Sequence, residues 1–149
     1  MMLRITKNLL NQIEAHGVES YPFEGCGLLL GHIVSDVNVV TAVRPLPNVW
    51  PNEEEKQVRF RIAENDWRDV EIEAMMQDLD IIGVFHSHPD HPPVASPRDL
   101  AWAAWPGYSY LITEIRTGQP ASSRSWQMLG DRSGFAEEQL EEIKLEIEQ

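Results

Sequence analysis

Two histidines one residue apart, His86 and His88, stand at the end of an apolar run, with a serine and an aspartate a short loop later. The run Asp80-Ile81-Ile82-Gly83-Val84-Phe85 has the length and branched content of a buried strand. Side chains at i and i+2 of a strand leave on the same side, so both imidazoles can converge on one metal ion. Pro89 cannot donate to a ladder, so pairing is expected to stop there, with the histidines opening into a loop. The loop DHPPVA leads to Ser96-Pro97-Arg98-Asp99. Proline after serine predicts a helix start, with Ser96 at the N-cap and Pro97 in the first turn. Asp99, three residues on, shares the Ser96 face and could reach back to the ion. Two imidazoles and one carboxylate, with a fourth position left for water, form the catalytic pattern of zinc rather than the closed structural one.

Each piece also has an ordinary reading. A His-x-His pair is common in packed or solvated strands. Ser-x-x-Asp before an apolar run is a capping box, in which Asp99 bonds to backbone and sees no metal. The order strand, His-Ser-His-Pro, short loop, Ser-x-x-Asp is far rarer than its parts.

That order resembles the signature of the JAMM (MPN-plus) zinc metallopeptidases: His-x-His-Pro, a loop, then Ser-x-x-Asp. The family also carries a glutamate upstream, before a glycine-rich strand, and Glu24-Gly25-Cys26-Gly27-Leu28-Leu29-Leu30-Gly31 matches that position. The resemblance implies one zinc ion held by His86, His88 and Asp99. It implies Glu24 as the group that works on the zinc-bound water, and Ser96 as a donor to the oxyanion. No motif position is substituted, which argues against the family's metal-free, non-catalytic scaffold members, the alternative reading. Residues 109–126 read as a plain hairpin without the insertion of several eukaryotic members. The compact form is similar to the stand-alone prokaryotic members, associated with ubiquitin-like sulfur-carrier proteins. The implied reaction is hydrolysis of a peptide or isopeptide bond after the carrier's C-terminal Gly-Gly.

The elements around these residues follow from periodicity. The pattern of the first residues, MMLRITKNLLNQIEAHG, predicts an amphipathic helix, best defined over Lys7–Glu19, with Thr6 as N-cap and Gly17 as a stop signal. Strands are predicted over 26–34, 39–46, 57–62 and 108–116, with 123–129 returning beside the last. Helices are predicted over 63–79, where Trp67, Val70, Ile72, Ala74, Met75 and Leu79 form a core face, over 100–105, and over 135–147. The expected fold is α+β: a central, mostly antiparallel, curved sheet flanked by helices, as in MPN/JAB-like and cytidine-deaminase-like architectures. One domain over 1–149 suits the length.

Composition excludes other classes. A net charge of −12 argues against nucleic acid as partner. No apolar run is long enough to span a membrane and no signal peptide is recognisable, so a cytoplasmic location is expected. The single cysteine, Cys26, excludes an internal disulfide and a multi-cysteine zinc site. It also excludes a zinc deaminase, which needs Pro-Cys-x-x-Cys. A His-x-His amidohydrolase barrel needs about 250 residues. His91, in the proline-rich loop, has no place in the signature, and the loop 45–56 is a candidate binding surface in which Trp50 is either a partner contact or a side chain packed back on the domain. Oligomeric state leaves no trace in the sequence.

Overall fold

Leu3 and Ile5 alternate with the half-buried Met2, Arg4 and Thr6 in the first strand, β1 (Met2–Thr6), and both are buried. The predicted helix therefore begins later than its pattern, because MLRIT has the period of a strand. In the computed structural model, which describes residues 1–102 and 105–144, Thr6 ends β1 and caps α1 (Lys7–Ser20). Its Oγ1 accepts the Leu9 N–H at 3.2 Å, as expected of an N-cap. Gly17 does not stop the helix. A Cβ there would lie 2.9 Å from Ile115 Cδ1 and 3.2 Å from Ser87 Cβ, so the glycine permits close approach of helix to sheet.

The remaining elements are β2 (Cys26–Val34), β3 (Val37–Leu46), α2 (Glu64–Met76), β4 (Asp80–Pro89), α3 (Pro97–Trp102), β5 (Ser109–Arg116), β6 (Gln119–Met128) and β7 (Phe135–Ile143). The strands close in the order β1-β3-β2-β4-β5-β6-β7, with β7 returning to β1. Pairing is mostly antiparallel, as predicted; β1–β3, β1–β7 and β4–β5 are parallel. The expected curved sheet flanked by helices, with helices at both chain ends, is corrected to a closed, barrel-like sheet. The helix predicted over 135–147 is instead β7 as far as Ile143, and residues 145–147 lie outside the described ones. Glu and Leu favour a helix by only tenths of a kcal/mol per residue. Pairing with β6 on one side and β1 on the other outweighs that preference. Buried Glu138 accepts hydrogen bonds from Ser125 Oγ at 2.6 Å and Gln127 Nε2 at 3.0 Å.

Two apolar layers follow from the alternation. On the inner face α1 packs against β1, β3, β4, β5, β6 and β7, with Ile13, Leu29, Phe85 and Leu111 at its centre. On the outer face Val70 and Ala74 of α2 meet Leu28, Leu30, Val84 and Tyr110. Of the core face predicted for the second helix, Trp67, Val70, Ala74 and Leu79 pack on this outer core, whereas Ile72 and Met75 are exposed. Among the described residues no helix is long and apolar enough to cross a membrane.

Two local departures shape the site. The strand predicted over 57–62 is absent; a 3₁₀ turn (Glu53–Gln57) leads into irregular chain up to Ala63. In β4, Leu29 pairs with Gly83 but Leu30 with Ile81, so Ile82 is an extra, bulged residue. The bulge turns Ile82 to the inner core while Val84 faces outward.

Candidate metal centre

β4 delivers the histidines from a strand that is buried from Ile82 to Pro89. Pairing with β2 ends at His86, opposite Cys26, whereas pairing with β5 runs on to Pro89, opposite Ile115. The prediction that pairing stops at Pro89 holds on the β5 side. On the β2 side the sheet parts three residues earlier, and this notch holds the site. Val84, His86 and His88 share the outer face; Ser87 points inward to α1.

His86 and His88 are each 1% exposed, with their Nε2 atoms 3.1 Å apart. Asp99 closes the triangle, Oδ1 3.1 Å from His86 Nε2 and Oδ2 3.4 Å from His88 Nε2. Tetrahedral bonds of about 2.0–2.1 Å to zinc set neighbouring ligand atoms about 3.3 Å apart. The three side chains thus already occupy one face of such a tetrahedron. His88 Nδ1–H donates to the Pro92 carbonyl at 2.7 Å, which leaves the Nε2 lone pair aimed inward. Glu24 joins them: one ligand atom each from Glu24, His86 and His88 lie within 4.8 Å of one another. The donor set fits a divalent ion with nitrogen and oxygen ligands.

Asp99 answers both readings of Ser-x-x-Asp. Its Oδ2 accepts the Ser96 N–H at 2.8 Å and its own N–H donates to Ser96 Oγ at 3.1 Å, a reciprocal capping box at the start of α3. Its carboxylate still faces both imidazoles. Ser96 Oγ serves there as an acceptor, which leaves its proton available to another group. α3 begins where Ser96-Pro97 predicts, before Leu100, and ends at Trp102; residues 103–104, and the Trp102 side chain, lie outside what is described.

The two carboxylates have opposite electrostatics. Burial acts to raise the pKa of Asp99, but the charges and hydrogen bonds of His86 and His88 outweigh it and hold the group far below the usual carboxylate range. Glu24 is 2% exposed, and its Oε1 has no hydrogen-bond partner among the described residues. Burial, reinforced by Asp99 and opposed by His88 and Arg98, pushes its pKa up to about 8. Two carboxylates with pKa values driven apart are the arrangement that separates a proton carrier from a fixed anion.

Several supporting residues were not foreseen. Ser87, between the histidines, accepts the Gly25 N–H on Oγ at 2.8 Å, and its N–H donates to the Gly25 carbonyl at 3.0 Å. This double bond of contacts holds the residue after Glu24 to the His-Ser-His strand. Phe60 stacks on His86 at 4.7 Å, and Asn48 bonds the Glu24 carbonyl. His-Ser-His in sequence hinted at Ser87; nothing local pointed to Asn48 or Phe60. His91 stacks on His88 at 4.1 Å, and its Nδ1–H donates to the Pro89 carbonyl at 2.8 Å, so it braces the His88 ring. The proline loop is pinned further by Trp126 Nε1–H to the Pro93 carbonyl at 3.0 Å.

A cavity of about 170 Å³ opens on the centre, lined by Glu24, Asp99, Arg98, Trp50, Val58, Arg59 and Phe60. A larger groove of about 610 Å³ shares Trp50 and Phe60 and continues to Trp67 and Trp105, whose rings stack at 4.9 Å. Trp50, an open question in the sequence, lines both spaces.

The fold and the centre define the class: the chain belongs to the prokaryotic homologs of the JAB domain, matching that family over residues 6–129. Among individual proteins, it is 37% identical over 91 residues to the desampylase of Haloferax volcanii, covering 61% of this chain and 62% of that protein. It is 31% identical over 106 residues to a probable TtuB-protein conjugate cleaving protease of Thermus thermophilus, covering 70% and 66%. The match therefore spans a little under two thirds of each of these relatives. The solution structure of protein DSY2949 from Desulfitobacterium hafniense superposes with a TM-score of 0.83 at 28% identity, over 97% of this chain and 94% of that one.

Proposed function

We propose that this chain is a zinc-dependent isopeptidase that hydrolyses the bond after the C-terminal Gly-Gly of a ubiquitin-like protein of sulfur-carrier type. His86, His88 and Asp99 hold the ion, and Glu24 and Ser96 do the proton and oxyanion work. When bound, the ion supplies Lewis acidity to the water and the carbonyl oxygen that meet in the cavity. Glu24 takes a proton from the attacking water on its unpartnered Oε1 and returns it to the leaving amine. Burial raises the pKa of this carboxyl and a cation at the histidines would lower it again, so the group can accept the proton and give it back. Ser96 keeps its capping contact and turns its O–H proton to the developing oxyanion.

The substrate reading rests on shape and kinship. The cavity beside Glu24 is small and walled by Trp50, Val58 and Phe60, which suits residues without side chains such as Gly-Gly. The aromatic groove beyond suits an extended tail. One relative is named for desampylation and the other for cleaving protein conjugates.

The observation that carries the proposal is the buried Glu24 carboxylate, its Oε1 without a hydrogen-bond partner among the described residues, against two histidines. A non-catalytic scaffold has no use for that costly group. In the test, Glu24→Gln keeps stoichiometric zinc by metal analysis and loses hydrolysis of a Gly-Gly carrier conjugate, while His88→Ala loses the zinc. Undiminished hydrolysis by Glu24→Gln would overturn the assignment.

A further inference from the structure

Asn48 lies just past β3, outside the ligand set, yet its side chain uses all four of its hydrogen-bonding capacities. Nδ2 donates to the Glu24 carbonyl at 3.0 Å and to the Arg59 carbonyl at 3.0 Å. Oδ1 accepts the Trp50 N–H and the Arg61 N–H, each at 3.1 Å. One amide thus joins three segments: the turn that presents Glu24, the exit of β3 at Trp50, and the returning chain at 59–61. That returning chain is the segment whose predicted strand does not form. Val49 N–H to the Arg61 carbonyl at 2.9 Å ties it to the β3 exit, and the Asn48 side chain supplies the bonds a ladder would otherwise give.

The segment gathered by Asn48 is the wall of the site. Phe60 is buried and stacks on His86. Arg59 and Arg61 stack on the Trp50 ring, their guanidinium carbons 5.1 and 4.9 Å from its centre. Trp50 and Phe60 line both the cavity at Glu24 and the longer groove. Groove wall and proton carrier therefore share a single anchoring side chain.

From this we propose that Asn48 is a positioning residue that sets the Glu24 carboxylate against the metal centre and ties its placement to the peptide groove. The proposal rests on the role of Glu24 given above. Its two donor bonds and two acceptor bonds have separable duties. Oδ1 holds the groove wall through the Trp50 and Arg61 amides. Nδ2 holds the Glu24 turn to that wall. An aspartate keeps the acceptors and loses the donors; an alanine loses both.

The test compares wild type, Asn48→Asp, Asn48→Ala and Glu24→Gln, all zinc-loaded. The probe is a fluorogenic peptide with a Gly-Gly isopeptide bond to a lysine ε-amine. Misplacing a reacting group by a fraction of an ångström costs about tenfold or more. Asn48→Asp is expected to lower kcat about tenfold with KM within about twofold of wild type. Asn48→Ala is expected to lower kcat and raise KM together. Amide exchange by NMR gives an arm independent of turnover: the Trp50 and Arg61 amides stay protected in Asn48→Asp and exchange quickly in Asn48→Ala, with zinc content unchanged in both. If Asn48→Ala does not fold, the aspartate variant still decides through its kcat-to-KM split and its amide protection. Wild-type kcat in Asn48→Asp, alongside an inactive Glu24→Gln, would overturn the inference alone. So would loss of the Trp50 and Arg61 protection in Asn48→Asp. An active Glu24→Gln would instead overturn the role of Glu24, leaving the exchange pattern to judge the anchoring.

Discussion

Removing the Glu24 carboxyl should change how the metal-free protein responds to pH, with a calculable sign. Glu24 titrates near 8 in the folded chain against 4.5 when unperturbed. Between those values the folded state binds a proton that the unfolded state has lost, so stability falls as pH rises. The contribution is neutral below about pH 4.5 and unfavourable above it, growing until the folded group ionises. At about 1.4 kcal/mol per pH unit, the gap from 4.5 to about 8 gives a ceiling of about 5 kcal/mol. Water entering the cavity beside the carboxylate reduces this, so a loss of about 2–5 kcal/mol is expected. Glu24→Gln keeps the shape and removes the titration. Urea unfolding of chelator-stripped wild type and Glu24→Gln at pH 5 and pH 8.5 measures it: similar stability at the lower pH, a clear advantage for the variant at the higher. The histidines and Asp99 are common to both proteins, so the difference isolates Glu24. A zinc ion held by His86 and His88 as proposed would favour the ionised carboxylate, so adding zinc should shrink the wild-type slope. Parallel pH dependences in the stripped proteins would refute burial as the source of the raised pKa.

Three further outcomes are expected. Ser96→Ala should lose about a hundred- to a thousandfold in kcat through the missing oxyanion donor, with about 1 kcal/mol of stability lost as the cap on the Asp99 N–H disappears; steady-state kinetics and a denaturant melt read the two effects separately. Gly17→Ala should destabilise the protein by about 1–3 kcal/mol in a thermal or urea melt, because its methyl meets Ile115 and Ser87 and pries α1 from the sheet. Cys26 is fully buried, and burial, with Glu24 and Asp66 adding to it, pushes its thiol up to about 12, so iodoacetamide at pH 8 should leave it unmodified in the native state and label it in urea; rapid native labelling would contradict the buried placement.

The centre was legible because its parts sit close in sequence and obey local rules. His86 and His88 are joined by strand period, and Ser96 and Asp99 by the first turn of α3. Glu24 was legible only through the family pattern, since a glutamate before a strand is otherwise an ordinary surface charge. Elements whose state is decided by distant partners were not legible. Residues 135–143 read as a helix until Ser125 and Gln127 are seen to satisfy Glu138 and until β1 and β6 are seen to flank them. Residues 57–62 read as a strand because Val58, Phe60 and Ile62 alternate, yet Phe60 is held over His86 with the help of an asparagine side chain instead of a ladder.

Even the histidine strand carried one thing that periodicity could not show. Ile82, Val84, His86 and His88 share parity, so simple alternation places all four on one face. The bulge between Leu29 and Leu30 of β2 breaks that rule: Ile82 fills the inner core beside Phe85, and Val84 turns to the outer one. Without the extra residue, the phase that buries Ile82 inside would send both imidazoles toward α1, where Gly17 and Ile115 leave no room even for a methyl group. The extra residue at Ile82 is therefore what lets a strand buried on both faces present two imidazoles at the notch where Glu24 and Asp99 meet them.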